Sequence, residues 1–203
     1  MFAFHSTKNV FYLFTYERMD IDKFWQIIEK SKERTDRNFD KQIENIIDLL
    51  TNLPVKSIIR FDQIIGELYS KLHSSIIWAS GELIRGHCSD DNYDYFRAWL
   101  IGQGSRIYTI ALTNPDDLAD IDFIAEAREY SGELLLYAAS EAYEQKTGED
   151  NFEELLTEED FGENMDSLVY IDLELEWIQD GKPIEDKLQV MLPKLYQRFR
   201  IGR

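Results

Sequence analysis

Five residues between positions 90 and 103 carry side chains with which this chain could do chemistry: Asp90, Asp91, Asp94, Arg97 and Gln103. Carboxylates at that density could hold a hard cation or act as a general base, and a guanidinium beside them could hold an anion. The plainer reading of the same residues is electrostatic. Asp90 and Asp91 place negative charge at the positive end of a helix, and Asp94 pairs with Arg97 at i, i+3, worth roughly a few tenths of a kcal/mol. Just upstream, His87-Cys88 could form a thiolate activated by a helix dipole and a neighbouring imidazole. Adjacent side chains diverge, however, and no third orienting group stands nearby in sequence. A small buried cysteine at a helix junction is the reading to prefer. His5, His73 and His87 are scattered, so no metal or cofactor is indicated. The chain has no glycine-rich phosphate loop, no G-x-S-x-G and no H-E-x-x-H, and Gly102-Gln103-Gly104 lacks the preceding strand that a phosphate loop needs.

The element that must position these residues is the best-specified helix of the chain. Gly86 closes the helix before it, Ser89 is a strong N-cap, and Gly102 and Gly104 mark its far end. On a helical wheel Tyr95, Phe96, Trp99, Leu100 and Gln103 share one face, while Asp90, Asp94 and Arg97 share the other. With Trp78, Trp99 reads as core rather than as a base-stacking platform, because the charge of the chain opposes nucleic acid.

Around this helix the apolar spacing predicts others. Phe24, Trp25, Ile27 and Ile28 follow a cap at Asp20 or Asp22 and carry a helix to about Lys32. After a polar turn over 31–38, Phe39, Ile43, Ile46, Ile47 and Leu50 define a second, ending near Pro54. Proline there suits the first turn of a third, which runs through Ile58, Phe61, Ile65 and Leu68, with Gly66 as a close-packing or weakening point. Ile76, Ile77, Trp78, Leu83 and Ile84 make a fourth. Residues 106–112 continue helical to Asn114-Pro115. A long helix is predicted over 121–146, stopped by Thr147-Gly148, and one last helix follows Gly181 and Pro183 through Ile184, Leu188, Met191, Leu195 and Phe199.

The charge is 39 acidic against 22 basic residues, a net −17. It disfavours nucleic acid phosphates and anionic lipid and suits a basic protein partner. Most of it sits in one place: residues 149–180 hold 13 Asp and Glu and no Lys or Arg, and the remainder is only −4, 26 acidic against 22 basic. Glu153, Glu154, Glu158 and Glu159 are the candidate docking surface, and the basic end, Lys187, Lys194, Arg198, Arg200 and Arg203, could attract the segment internally. Within it Val169, Ile171, Leu173, Leu175 and Trp177 alternate with polar residues, a period of two. Either a strand against residues 9–16 or an extended loop against the helices would give that pattern.

Residues 1–18 are aromatic-rich but carry Lys8 and Asn9 inside the apolar part and lack the form of a secretory signal. No apolar run approaches the roughly 20 residues of a membrane span, and the one cysteine cannot form an internal disulfide. A cytoplasmic protein is expected. Val10, Tyr12 and Phe14 could form a strand; alternatively translation begins at Met19 and residues 1–18 are an upstream extension to a single domain over 19–203.

Several separated segments resemble one family. Met19-Asp20-Ile21-Asp22-Lys23-Phe24-Trp25, then Cys88-Ser89-Asp90-Asp91 with the run from Tyr95 to Gly104, then Ala142 to Gly148, and finally Leu192 to Phe199 together look like the bacterial "domain of unknown function 4240" family. The resemblance implies a bacterial, largely helical domain and supplies no catalytic residues. The expected fold is all-α, a single irregular bundle of about seven to nine helices with at most a minor two-stranded element. Three functions remain open: an acidic interaction module of regulatory, inhibitor or immunity type; a ligand-binding domain or enzyme with its site around Asp90, Asp91 and Arg97; and a structural protein with no charged partner.

Overall fold

The computed structural model describes residues 19–129, 131–156 and 173–201, and over these the protein is an all-α bundle with a minor two-stranded antiparallel element. The helices are α1 (Ile21–Ser31), α2 (Phe39–Thr51), α3 (Val55–Lys71), α4 (Ser75–Arg85), α5 (Asp90–Gly102), α6 (Ser105–Thr113), α7 (Glu133–Thr147), α8 (Glu185–Met191) and α9 (Pro193–Tyr196). Strands β1 (Ile178–Gln179) and β2 (Lys182–Pro183) form a hairpin.

The caps explain most boundaries. The side chains of Asp20, Asn38, Ser74 and Ser89 accept the backbone N–H three residues on and start α1, α2, α4 and α5. Pro54 precedes α3 with no side-chain cap. Gly86 and Gly148 end α4 and α7 in the left-handed conformation, at φ 87° and 77°, which glycine adopts without steric cost.

The core is one cluster of buried apolar side chains drawn from every α-helix. Its centre is α5, in which Tyr93 and every residue from Phe96 to Gly102 are buried. From Phe96 onward α5 is buried all round and has no solvent face, so the division of the helix into an apolar and a polar side fails at Arg97. The sequence could not reveal this, because a wheel ranks faces by polarity whereas burial depends on what packs there.

Two predicted helices are divided. A short 3-10 segment, Pro115–Asp120, follows α6, and the long helix expected over 121–146 is instead a second 3-10 segment, Ile124–Arg128, followed by α7 from Glu133. The reason lies at Gly132, where the chain crosses α5 so closely that a Cβ would fall on the Tyr95 carbonyl oxygen and the Trp99 amide nitrogen. The predicted last helix breaks at Leu192, whose φ of −138° and ψ of 63° are not helical. Pro193 follows it, and its ring drives the preceding residue out of the α region.

The alternating segment is only partly described. Leu173 and Leu175 are half-buried and Trp177 is fully buried, with Glu174 and Glu176 exposed between them, but residues 173–175 pair with no described strand. Trp177 instead plugs into the bundle, its indole N–H donating to the carbonyl and hydroxyl oxygens of Ser75 at 3.2 and 3.1 Å. The pairing that exists is local, Ile178 with Pro183 and Gln179 with Lys182, turned by Asp180 and Gly181 at φ 52° and 72°. It is not the pairing with 9–16; that stretch, Val169, Ile171, Glu158 and Glu159 lie outside the described residues.

Candidate functional site

The five residues first singled out do not form one site. Asp90 and Asp91 are exposed in the first turn of α5. Arg97 is 3 % exposed and faces inward, toward α3. Its Nη2 donates to Asp94 Oδ1 at 2.5 Å and to the Tyr69 hydroxyl at 2.7 Å, and Nη1 donates to the Tyr69 carbonyl at 3.3 Å. The guanidinium carbon lies 3.7 Å from the Tyr69 ring centroid and 4.5 Å from that of Tyr93. Trp78 continues the layer, stacked on Tyr93 at 4.4 Å. The expected exposed i, i+3 pair is therefore a buried bolt between α3 and α5. Losing one partner of such a pair leaves an uncompensated charge, which is far more costly than losing a surface pair.

The His87-Cys88 pair divides in the same way. His87 is exposed while Cys88 is 6 % exposed, its Sγ packed near Gly81 and Phe96. Burial pushes the thiol up to about 12 despite the nearby Arg85 cation, so at neutral pH it is protonated and a poor nucleophile. The Cys88 amide donates to Glu82 Oε2 at 2.8 Å, and the other carboxylate oxygen takes Arg200 at 3.3 Å. Among the described residues no three His, Cys, Asp or Glu side chains converge as a metal site would need. Nor is any described helix long and apolar enough to cross a membrane.

Gln103 reaches a different place, a pocket of about 220 Å³ between the α1–α2 loop, the C-terminal end of α5 and the turn at 123–126. Trp99 and Phe123 give it aromatic walls, and Gln42 and Gln103 give it carboxamides. At its edge Lys32 Nζ donates to the Gln103 carbonyl at 2.6 Å and to Glu29 at 3.0 Å. Arg37 meets Glu126 at 3.3 Å, its guanidinium 5.2 Å from the Phe123 ring centroid. The loop that brings Arg37 here is strained: Arg34, Asp36 and Arg37 have φ of 60°, 51° and 64°, left-handed values that cost non-glycine residues about 1 to 3 kcal/mol each. Buried Thr35 anchors the loop through its hydroxyl, which donates to the Lys32 carbonyl at 2.9 Å. Sequence reading missed Lys32, Arg37, Gln42, Phe123 and Glu126 as site residues. The polar run 31–38 marked a turn, but nothing in it shows which side chains the turn delivers.

The acidic segment is exposed where it is described, at Glu149, Asp150, Glu153, Glu154, Glu174, Glu176 and Asp180. The described bases of the C-terminal end mostly meet other acids and carbonyls, while 157–172 and Arg203 lie outside the described residues. Lys194 lies between Asp117 and Asp120 at 2.7 and 2.8 Å, and these carboxylates raise its pKa. Arg198 donates to the carbonyls of Ala119, Ile121 and Asp122, and Arg200 meets Glu82 and Glu185. Among the described residues Lys187 reaches the segment, through the backbone carbonyl of Glu176 at 2.5 Å.

No curated protein matches the chain, and no solved structure matches it. A family model described as "Protein of unknown function (DUF4240)" matches residues 19–145. That span takes in the Met19 to Trp25 and Cys88 to Gly104 segments and cuts through the third, while Leu192 to Phe199 lies beyond it. The helices α1 to α6, nearly all of α7 and the whole Trp99 pocket fall inside the match, and the chain belongs to the DUF4240 family.

Proposed function

We propose that the protein is an interaction module of regulatory or inhibitor type that docks a basic protein on the acidic surface around Glu153 and Glu154. The supporting observation is the deployment of the C-terminal bases. Lys194, Arg198 and Arg200 are committed to α4, α8 and the 115–122 turns. Among the described residues Glu149, Asp150, Glu153, Glu154, Glu174, Glu176 and Asp180 take part in no ion pair, which leaves their field for a partner. Uncompensated charge of one sign steers an oppositely charged protein and raises its association rate, with screening over a Debye length of about 10 Å at 0.1 M salt.

The test is charge reversal. Changing Glu153, Glu154, Glu158 and Glu159 together to lysine reverses the charge of the segment, and a basic protein captured from the native host at low salt then associates at least about tenfold more slowly, with dissociation little changed. Equal association rates for the two forms, or no basic protein retained at low salt, would make the segment a solvated surface without a charged partner.

A further inference from the structure

We propose that the joint outer face of α5 and α7, centred on Tyr95, Leu134 and Tyr137, docks a basic amphipathic helix of a partner protein, a proposal that rests on the partner being basic, as the acidic surface around Glu153 requires. The face begins from an exposure that packing does not account for. Leu134 is 47 % exposed and Tyr137 58 %, and they stand three residues apart on α7, so their side chains are neighbours. Tyr95 of α5 is half-buried beside them, its hydroxyl donating to Glu133 Oε1 at 3.0 Å. That hydrogen bond, then partial desolvation and the nearness of Glu133, Asp91 and Tyr137, raises the Tyr95 phenol above its usual value, so the two helices present one surface. Single apolar side chains on a surface are ordinary, but a cluster of them rimmed by polar residues marks an interaction site, and tyrosine is among the residues that anchor one.

The rim decides the partner's charge. Leu134, Tyr137, Glu141 and Glu144 are all exposed and recur at helical spacing, so one stripe of α7 runs from apolar to acidic. Beyond Gly148 the acidic sign continues at exposed Glu149, Asp150, Glu153 and Glu154. Among the described residues Asp91, Glu133, Glu141 and Glu144 take part in no ion pair. The single base of α7, Lys146, lies in its last turn and donates to the Thr51 carbonyl at 3.0 Å. A second copy of this chain would set these carboxylates against their own kind, and an anionic lipid surface would be repelled in the same way. A ridge of apolar side chains flanked by lysine or arginine meets both halves of the stripe.

The shape of the stripe selects a helix as that ridge. A row with one side chain per turn is complemented by the row of a second helix laid alongside, whose i, i+3, i+4 and i+7 residues point the same way. The surface is also pre-organised. At Gly132 the backbone of α7 rests directly on α5, so close that a Cβ would fall on the Tyr95 carbonyl oxygen. Tyr95 and Tyr137 are therefore carried on backbone that is already fixed, and two aromatic side chains with few rotatable bonds lose little entropy when a partner covers them.

The probe is a labelled synthetic helix of leucine and lysine with its leucines on one face, compared with an isomer of the same composition whose leucines are scattered around the helix. Both are titrated with the full-length chain and followed by fluorescence anisotropy at low and moderate salt. The amphipathic peptide should bind at least about tenfold more tightly than its isomer, since only it can bury a continuous apolar face. Leu134→Gln with Tyr137→Gln, at exposed helix positions that glutamine suits, should weaken the amphipathic peptide at least about tenfold. The urea midpoint and the binding of the isomer should stay unchanged. Glu141→Gln with Glu144→Gln should weaken both peptides and flatten their salt dependence. Equal binding of the two peptides, or undiminished amphipathic binding by the folded glutamine pair at 134 and 137, would overturn the proposal. If charge reversal at Glu153, Glu154, Glu158 and Glu159 still slows both peptides in that event, the acidic surface stands and the α7 face alone falls. Amphipathic binding that is lost with Leu134 and Tyr137 but indifferent to that reversal would support the α7 face and remove the acidic surface instead.

Discussion

Arg97 shows how a side chain's meaning changes once its surroundings are fixed. As text it is one member of an exposed pair, but in the fold it ties Asp94, Tyr69 and Tyr93 together in a buried layer. Asp62 on α3 is the contrasting case, since no described basic side chain pairs with it and burial pushes its carboxyl from 3.8 up to about 6. The folded state therefore holds this proton more tightly than the unfolded chain. Its stabilising effect is present below about pH 4, is lost as the pH rises through about 6, and leaves the ionised group a burden at neutrality. Asp62→Asn should stabilise the protein at pH 7 by about 2 kcal/mol. The gain should shrink toward zero near pH 4. Urea unfolding of both forms at the two pH values measures it, and an equal difference at both would mean that Asp62 titrates normally.

At the scale of elements, two glycines that look alike in sequence behave oppositely. Gly66 lies inside α3, and a Cβ built there meets nothing within 4 Å. Gly66→Ala should stabilise the protein by about 0.5–1 kcal/mol through helix propensity alone. Gly132 begins α7 against the backbone of α5, and backbone cannot move aside as a flexible side chain can. Gly132→Ala should cost at least about 3 kcal/mol, in the upper range for single substitutions. A urea series on the two variants decides this. A mild Gly132→Ala would show that α7 can slide away from α5, which would loosen the neighbouring Tyr95 to Glu133 hydrogen bond of 3.0 Å.

For the whole molecule, the first described residue is already core: Met19 is 2 % exposed and packs in the cluster that α1 enters. A protein beginning at Met19 should keep that contact and melt within a few degrees of the full chain, because terminal segments contribute little stability unless tied down. Differential scanning calorimetry of the two forms tests this, and loss of a cooperative transition in the shorter one would show that residues 1–18 are part of the folded unit. The division of charge also belongs to this scale. Net −17 is concentrated in 149–180, beyond the span that the family model matches. The Trp99 pocket lies within that span, so the pocket and the acidic surface are separable features of one chain.

What the sequence by itself determined is what a few neighbouring residues decide among themselves. Ser74, Ser89, Gly86 and Gly148 set helix ends because a cap competes only with the adjacent turn, and the apolar spacing of α1 to α5 set the all-α class. Gln103 was legible as a polar residue at a helix end, but the pocket it serves was not. Only tertiary structure brought Lys32 to the Gln103 carbonyl across 71 positions and Arg37 to Glu126 across 89. The same holds for the burial of Arg97, and for the replacement of the expected helix before Gly132 by 3-10 turns. Each depends on which backbone passes within reach. Local propensities of a few tenths of a kcal/mol per residue do not specify such contacts, and close packing, which is worth several kcal/mol where a core residue is concerned, overrides them.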